Sequence, residues 1–295
     1  MGALDGRVAI ITGAGRGLGR EHALLFASEG AKVVVNDLGG DIDGTGEDRA
    51  PAQLVVDEIK EMGGEAVANV DSVSDWEGAQ RLVNLAVETF GDLHALVNNA
   101  GILRDRVLVN MTEQEWDAVI NVHLKGHFCP TRFAANYWRE QSKAGKEVKG
   151  AIVNTSSTSG LLGNPGQANY GAAKAGIAAF SNIVAQELSR YGVRSNTIAP
   201  AARTRLTEQT PGLEEAVKAP EDPGAFDTWG PANVSPLVAY LSTEQCPFTG
   251  TTFFVQGGVV RRFRPWTMTE TVDKGDRWTV AELEKEMVKL QEGAG

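Results

Sequence analysis

Short apolar runs alternate along the chain with stretches of helical period, and this alternation constrains the fold more than any other feature of the sequence. The runs are bounded by turn residues and are apolar on both faces, which is typical of strands in a parallel sheet covered by helices on each side. They lie at residues 7–11, 32–35, 66–70, 95–97, 151–153, 195–198 and 252–255. The alternation predicts an α/β fold with a doubly wound, seven-stranded parallel sheet and helices on both faces.

The stretches of helical period carry start signals. Thr112 with Glu115 has the pattern of a capping box, and Ser235 before Pro236 predicts an N-cap with proline at the first helical position. The predicted helices span residues 18–28, 53–62, 76–90, 113–139, 168–190 and 236–241.

No linker divides this pattern, so we expect one domain over residues 1–258 and a C-terminal extension over residues 259–295. In the extension, Thr279 and Glu282 predict a capping box, and the apolar stripe that follows predicts a helix packed on the domain or on a partner subunit. Two segments interrupt the pattern. One is an insertion rich in Gly and Asp at 38–51, and the other, 203–231, has the composition of a substrate-covering loop.

Composition and charge exclude several classes of protein. The formal net charge is −10, from 28 basic and 38 acidic residues, whereas a nucleic-acid binder needs a basic face. No apolar run approaches the roughly 18 residues of a membrane span. Cys129 and Cys246 are too few for a disulfide framework and lie in no Cys/His array, so we expect buried thiols and no metal site. The chain ends carry no secretory or peroxisomal signal, which predicts a cytoplasmic protein.

Residues 12–19, with the sequence TGAGRGLG, stand between the first predicted strand and the first predicted helix. Such a turn lets the backbone approach a pyrophosphate and directs N–H groups and the helix dipole at it, although glycines can also serve only to make a tight turn. We predict a Rossmann-like dinucleotide site at this turn. The residues assigned to it are Gly13, Gly15, Arg16, Gly17, Leu18 and Gly19.

Asp37 ends the second strand, 18 residues after Gly19 and near the distance at which an acid meets the adenosine ribose hydroxyls. A carboxylate there accepts hydrogen bonds from both hydroxyls of NAD and repels the 2′-phosphate of NADP, so Asp37 predicts NAD. Arg16 favours NADP instead, because a basic residue in this turn can pair with the 2′-phosphate. A strand-end cap is the alternative interpretation of Asp37.

Polar residues also end the third and fourth strands. Asp71, with Ser72 beside it, stands where a carboxylate can accept from the adenine amino group or merely begin a turn. The NNAG motif at 98–101 follows the fourth strand. Because buried amides need partners, we expect Asn98 and Asn99 to tie neighbouring strands and, with Ala100 and Gly101, to line the cofactor floor.

Tyr170 and Lys174 stand four residues apart and therefore project from one helix face. A phenol with a pKa near 10 is a poor base, but a neighbouring ammonium favours the phenolate, and a shift of about 2 to 3 pKa units is plausible in a partly desolvated site. Ser157, 13 residues before Tyr170, follows the fifth strand, where open α/β sheets place their ligands. The three residues together predict an acid/base site.

The TGxxxGxG, NNAG, strand-end Ser and YxxxK motifs, in this order over about residues 5–258, resemble the short-chain dehydrogenase/reductase family. The resemblance implies hydride transfer between nicotinamide C4 and a carbinol carbon. It also implies that Tyr170 is the acid/base, that Ser157 polarises the substrate, and that Lys174 holds the nicotinamide ribose. Asn121 is implied to anchor a water that links Lys174 to solvent.

The chain departs from the family pattern after the sixth strand. Pro200 is followed by Ala201 in place of the usual glycine, and the position of the family's threonine holds Arg205, with Thr204 one place early. We still assign Pro200 and Thr204 to the cofactor site. The departure puts the contacts from this loop to the nicotinamide carboxamide in doubt.

A narrower resemblance, within the family, is to the (3R)-hydroxyacyl-CoA dehydrogenase units of peroxisomal multifunctional enzymes. It rests on residues 36–41, 101–106, 163–170 and 196–200, and on the tail after 258. It implies a stand-alone enzyme that interconverts a 3-hydroxyacyl-CoA and its 3-oxoacyl-CoA, and the family implies a homodimer or homotetramer. The alternatives are a hydroxysteroid dehydrogenase, a 3-oxoacyl carrier-protein reductase, or a catalytically silent nucleotide sensor.

An acyl-CoA is anionic, so basic residues near the predicted site are candidates to hold it. The sequence does not choose among them, and each is more often a solvated charge: Arg104, Arg106, Arg203, Arg205, Arg261, Arg262 and Arg264. His123 and His127 lie one helical turn apart, the spacing of a metal pair, but no third ligand accompanies them. Their pattern favours a role on a helix surface or at an interface.

Overall fold

The computed structural model describes residues 2–40, 43, 45–46, 50–204, 207, 215, 217–222 and 224–292. The strands within them are β1 (Val8–Thr12), β2 (Lys32–Asn36), β3 (Glu65–Asn69), β4 (Ala95–Asn98), β5 (Gly150–Thr155), β6 (Val193–Pro200), β7 (Thr252–Gln256) and β8 (Val259–Arg262). The helices are α1 (Gly17–Ser28), α2 (Ala50–Glu61), α3 (Trp76–Phe90), α4 (Glu113–Ile120), α5 (Gly126–Lys143), α6 (Thr158–Leu162), α7 (Ala168–Leu188), α8 (Ser235–Ser242) and α9 (Val280–Glu292).

The strands form one sheet in the order β3-β2-β1-β4-β5-β6-β7-β8. β1 to β7 pair in parallel, and β8 joins β7 antiparallel. The α/β sheet with parallel strands is therefore confirmed, but the sheet has eight strands in place of the predicted seven. Hydrophobic periodicity does not predict β8, because its four residues, VVRR, do not alternate between apolar and polar side chains and are all exposed. The strand order reverses between β1 and β4, which opens a crevice at their C-terminal ends.

Buried apolar side chains form one layer on each face of the sheet. The first layer includes Phe26 of α1 and Val55 of α2, and it also packs α8 against the strands. The second includes Leu82 of α3, Trp138 of α5 and Val184 of α7. Helices therefore cover both faces, which explains why the central strands are apolar on both sides.

The chain divides into two units, Met1–Phe263 and Arg264–Gly295. The first unit runs past residue 258, because β8 pairs with β7 and the backbone N–H of Phe263 donates to the Thr252 carbonyl at 2.9 Å. In the second unit, Thr279 and Glu282 make the capping box that the sequence predicts, with backbone-to-side-chain distances of 2.8 and 3.3 Å. The docking of α9 on the domain or on a partner subunit stays a prediction.

The starts of the helices agree with the sequence at one position and differ at another. Thr112 and Glu115 form the predicted capping box of α4. Ser235 is not an N-cap, because a 3₁₀ turn at Pro231–Val234 runs directly into α8. The Ser235 hydroxyl pairs instead with Nδ1 of the buried His22, at 2.8 Å.

The stretch predicted as one helix over residues 113–139 is interrupted. A π-helical turn at Asn121–Lys125 separates α4 from α5. This turn has only five residues, whereas periodicity is assessed over windows of about 11 to 18 residues, so periodicity alone does not reveal it. Cys129 of α5 and Cys246, which follows α8, are both buried free thiols, as the sequence predicts.

Arg7 ties together the N-terminal ends of the central strands. Its guanidinium donates to the carbonyls of His94 at 3.2 Å and Lys149 at 2.8 Å, the residues that precede β4 and β5, and it lies 3.4 Å from Glu244. Burial lowers the pKa of Arg7 to about 10, so it stays charged at neutral pH. Removing it leaves two carbonyls without this donor.

We expect Arg7→Met to lower the free energy of unfolding by about 2 to 3 kcal/mol, because buried acceptors lose a charged donor. Urea unfolding measures the loss. The matched control is Arg139→Met on α5, which removes an ion pair with Glu140 between two half-exposed side chains and should cost less than about 1 kcal/mol. Equal costs for the two variants would contradict the structural role of Arg7.

Candidate active site

The turn between β1 and α1 leaves no room for side chains at Gly13, Gly15 and Gly19. A Cβ at Gly13 would lie 2.7 Å from the Ala100 backbone, and one at Gly19 would lie 2.1 Å from the Gly13 carbonyl oxygen. The Asn99 side-chain amide donates to the carbonyls of Thr12 at 3.0 Å and Gly13 at 3.1 Å. The turn is therefore held against the end of β4, with bare backbone facing the crevice and the N-terminus of α1 behind it.

Asp37 faces this turn from the end of β2. One carboxylate oxygen accepts from the Gly15 N–H at 2.8 Å and the other from the Gly39 N–H at 2.7 Å. A Cβ at Gly15 would lie 2.9 Å from the Asp37 carboxyl carbon, so only glycine allows this approach. Asp37 thus holds the turn as a cap while each of its oxygens keeps a second lone pair for a ribose hydroxyl.

The end of β3 carries a second carboxylate, and a hydrogen-bonded network holds it. Asn36 donates to the Asn69 side chain at 2.7 Å, and Asn69 donates to one Asp71 oxygen at 2.9 Å. Arg81 of α3 donates to the other Asp71 oxygen. The network fixes the orientation of the Asp71 carboxylate at the crevice.

The start of α7 sets the position of Tyr170. Buried Asn169 accepts from the Tyr170 N–H at 2.7 Å and donates to the carbonyl of Arg104 at 2.9 Å and to that of Glu115 at 3.1 Å. This side chain therefore locks the first turn of α7 onto the loop after β4 and onto α4. Neither contact is visible in the sequence, because an asparagine before a tyrosine has no particular pattern.

Lys174 is buried one turn further along α7. Its ammonium donates to the Thr155 carbonyl at 2.6 Å and lies 5.5 Å from the centre of the Tyr170 ring. The Ser156 hydroxyl donates to the Lys174 carbonyl at 2.7 Å. The end of β5 and the second turn of α7 are therefore fastened to each other, which brings the amine and the phenol to one wall of the crevice.

The pKa values of the two side chains move in opposite directions. Burial raises the pKa of Tyr170 to about 12; the hydrogen bond with Ser157 lowers it, and Asp105 raises it further. Burial lowers the pKa of Lys174 to about 7. The prediction of a lowered phenol pKa is therefore wrong for the protein by itself, because burial raises this pKa and the Lys174 amine, with its own pKa lowered to about 7, is only partly charged at neutral pH.

A single cavity of about 270 Å³ joins the two acids to Tyr170 and Lys174. The residues assigned from the sequence that line it are Gly13, Arg16, Gly17, Leu18, Asp37, Asp71, Ser72, Ala100, Gly101, Tyr170, Lys174, Pro200 and Thr204. The bare backbone of the glycine turn, two carboxylates and an amine all line this cavity, and this set of groups fits a dinucleotide. Gly15 and Gly19 belong to the same turn but do not line the cavity, and their lack of a side chain allows the close contacts within the turn.

Two other assigned residues lie outside the cavity wall. Asn98 is buried below it and donates to Asn154 at 2.9 Å and Thr131 at 3.0 Å, so it ties β4 to β5 and to α5, and Asn99 forms the floor in its place. Ser157 caps α6 by accepting from the Ser159 N–H at 3.2 Å, which leaves its hydroxyl proton to donate to Tyr170.

The structure does not bring Asn121 to the site. Asn121 is exposed and donates to the Ser74 hydroxyl at 3.0 Å. His123, two residues further along the same π-helical turn, lines the cavity instead. His123 and His127 are both buried, so the prediction of a surface or interface role for them is wrong. The sequence marks His123 only by its spacing from His127, and this spacing does not show that its ring faces the cavity.

Three of the candidate arginines already have partners. Arg104 donates to the Asp43 carbonyl at 2.8 Å, Arg106 pairs with Glu115 at 2.9 Å, and Arg203 pairs with Asp227. Arg205 and 10 other residues of the predicted substrate-covering loop at 203–231 lie outside the described residues. Within the described ranges, no group of His, Cys, Asp or Glu is placed to hold a metal ion, and no helix is long and apolar enough to cross a membrane.

Comparison with known proteins identifies the class. The sequence model of the family described as short chain dehydrogenase matches residues 7–215. A crystal structure of a short chain dehydrogenase from Mycobacterium avium is similar with a TM-score of 0.88 at 51% identity, covering 100% of this chain and 97% of that one. The chain belongs to the short-chain dehydrogenase family and is an oxidoreductase.

Two curated relatives narrow the position of the chain in that family. The hydroxyacyl-CoA dehydrogenase ChsB1 of Mycobacterium tuberculosis is 45% identical over 288 residues, covering 95% of this chain and 87% of that protein. Peroxisomal multifunctional enzyme type 2 of Drosophila melanogaster is 49% identical over 246 residues, which cover 83% of this chain and 38% of that protein. The chain is therefore close to the dehydrogenase unit of the multifunctional enzymes.

The buried amine makes the stability of the protein depend on pH. The pKa of Lys174 is about 7 when folded, against about 10.4 in an unfolded chain, so between these values the unfolded chain binds a proton that the folded protein does not. Stability therefore rises with pH in this window, and the full cost of burying the charge is present below pH 7.

We expect the free energy of unfolding of the wild type, relative to Lys174→Met, to rise by about 1.4 kcal/mol per pH unit between pH 8 and pH 9. Urea unfolding of both proteins without cofactor measures the difference. Lys143→Met is the control, since this exposed ammonium stays in water in both states. A constant difference between the wild type and Lys174→Met would show that the amine is not desolvated.

Proposed function

We propose that the enzyme interconverts a 3-hydroxyacyl-CoA and its 3-oxoacyl-CoA with NAD as the cofactor. The observation that carries the substrate class is the similarity to a hydroxyacyl-CoA dehydrogenase along nearly the whole of both chains. The dehydrogenase chemistry is assigned to Tyr170 and Lys174, which line the same cavity as Asp37 and Asp71, and to Ser157, which hydrogen-bonds Tyr170 from behind the cavity wall. A catalytically silent nucleotide sensor would not need this arrangement of phenol, hydroxyl and amine.

A bound NAD supplies the acceptor for the hydride that leaves the carbinol carbon of the substrate. The side chains of this protein handle the proton and the substrate oxygen. Ser157 donates a hydrogen bond to that oxygen, and Tyr170 Oη, as the phenolate, takes the alcohol proton as the alcohol becomes a ketone. Lys174 would anchor the nicotinamide ribose and, when charged, favours the phenolate.

A 3-oxoacyl carrier-protein reductase is the second candidate. The 3-oxoacyl-[acyl-carrier-protein] reductase of Thermotoga maritima is 37% identical over 260 residues, which cover 87% of this chain and 99% of that protein. It shares the chemistry and differs in the carrier of the acyl group. A hydroxysteroid dehydrogenase is the third candidate, and its substrate carries no thioester. A panel of substrates that differ in the group carrying the alcohol therefore separates the three candidates.

We expect Tyr170→Phe to lower kcat by a factor of about 10² or more, with the Kd for NAD changed little, because only the proton acceptor is lost. The readout is NADH formation from a panel of 3-hydroxyacyl-CoAs, steroid-CoA thioesters and free hydroxysteroids, with the reduction of 3-oxoacyl carrier proteins run in parallel. Tyr137→Phe is the control, since this tyrosine donates to Asp92 outside the cavity. Faster turnover of free hydroxysteroids than of any thioester would contradict the proposal.

The preference for NAD depends on Asp37 in this proposal. We expect Asp37→Asn to lower the ratio of kcat/KM for NAD to that for NADP by about 10- to 100-fold, because a charged acceptor is lost and repulsion of the 2′-phosphate disappears. Asp71→Asn should weaken both cofactors equally, since both carry the same adenine. Equal use of NAD and NADP by the wild type would refute the argument and favour Arg16 as a phosphate partner.

The remaining parts of the proposal concern assembly and setting. We propose a homodimer or homotetramer built on the two long helices α5 and α7, where Phe128 and Ile183 leave apolar side chains 41% and 53% exposed. A cytoplasmic setting stays a prediction, since several relatives are peroxisomal enzymes. Sedimentation of the purified protein tests the assembly.

A further inference from the structure

His123 occupies a position that neither the motifs nor the roles described above explain. It is fully buried on the π-helical turn at Asn121–Lys125, and its ring lines the cavity beside Tyr170. Metal binding does not account for it, because the described residues place no set of ligands around it.

One side of the ring holds the loop after β4. A Cβ at Gly101 would lie 2.3 Å from Cε1 of His123, so the imidazole fills the space that any larger residue at 101 would need. Nε2 faces both backbone groups of Ile102: it lies 2.7 Å from the carbonyl oxygen and 3.1 Å from the amide nitrogen, while Nδ1 has no hydrogen-bond partner in the described part of the chain. Either tautomer therefore bonds the ring to Ile102, and the shorter distance favours a proton on Nε2 that is donated to the carbonyl.

The other side of the ring holds the phenol. The rings of His123 and Tyr170 meet edge to face, with centroids 5.2 Å apart and an interplanar angle of 89°. Aromatic pairs in this geometry attract beyond simple burial, and they restrict rotation of both rings. One imidazole thus touches both the cofactor floor and the residue proposed as the acid/base.

The imidazole stays neutral while it does this. Burial and the neighbouring Lys174 hold the pKa of His123 well below its ordinary value, with His127 on α5 acting in the same direction. Asp105 and Ser157 are the other groups that bear on the phenol. A neutral ring does not exchange protons with Tyr170 in the working range of pH, so its effect on Tyr170 comes through contact.

We propose that His123 is a positioning residue with two separable functions: its edge-to-face contact orients the Tyr170 phenol, and its hydrogen bond to Ile102 holds the cofactor floor at Gly101. The proposal rests on the role of Tyr170 in the proposed function. A phenol that rotates spends less time aligned with the substrate oxygen, which lowers kcat. A floor that shifts weakens the cofactor, which raises its KM.

Two substitutions separate the functions. His123→Gln keeps an amide donor for Ile102 and loses the ring, so we expect kcat to fall about tenfold with the KM for NAD nearly unchanged. His123→Phe keeps a ring against Tyr170 and loses the donor, so we expect the KM for NAD to rise about fivefold with kcat nearly unchanged. Both are measured per folded molecule, across a pH series.

His22→Gln is the matched control, because His22 is equally buried, bonded to Ser235 and outside the cavity wall. It should lower the melting temperature and leave kcat and KM unchanged. If the Gln and Phe variants of His123 shift kcat and KM alike, or lose only stability as His22→Gln does, the proposal is overturned. An active Tyr170→Phe enzyme would instead refute the proposed function, so the two failures are distinguishable.

A second measurement remains decisive if either His123 variant folds poorly. Gly101→Ala places a methyl group against the imidazole, whereas in a His123→Ala background the ring is gone. We expect Gly101→Ala to raise the KM for NAD by a larger factor alone than in that background, since the two residues compete for one space. Equal factors would show that the ring does not hold the floor, and would overturn the proposal.

Discussion

The hydrogen bonds that join the ends of β1 and β4 are the constraint on which the rest of the site depends. The Thr12 hydroxyl accepts from the N–H groups of Asn99 at 2.9 Å and Ala100 at 3.1 Å, and the Asn99 side chain returns two bonds to the turn after β1. These strands flank the point where the strand order reverses, so the bonds hold the glycine turn against the floor of the crevice. This junction therefore fixes the glycine turn and the cofactor floor relative to each other.

The desolvation of Lys174 and Tyr170 gives the site its chemical character. Burial disfavours the charged form of each, so the protein by itself tends toward a neutral amine beside a neutral phenol. The contacts that enforce this burial are structural ones: Thr155 beneath the amine, Asn169 at the start of α7, and His123 against the phenol. The protonation states of Tyr170 and Lys174 therefore depend on the packing around them as well as on their spacing in the sequence.

Much of the fold and part of the site were predictable because they depend on local patterns. Apolar runs between turn residues identified the seven parallel strands, and the glycine turn and the Tyr170–Lys174 spacing identified one crevice where Asp37 and Asp71 also lie. Ser235 was misassigned as a cap because the preceding 3₁₀ turn has no apolar signature. Periodicity also predicts one continuous helix over 113–139, because the π-helical turn inside it has no apolar signature of its own.

The sequence by itself determined the order of strands and helices, the turn that approaches a dinucleotide, and the residue types of the catalytic pair, since these follow from side-chain periodicity and backbone sterics. Only the tertiary structure decided which side chains face the cavity. Asn121 is exposed and bonded to Ser74, whereas His123 lines the cavity against Tyr170, because the packing of this helical turn against α7 decides which of its sides meets the crevice. The tertiary structure also decided the direction of the phenol pKa, since desolvation depends on the atoms that surround a group in space and not on its neighbours along the chain.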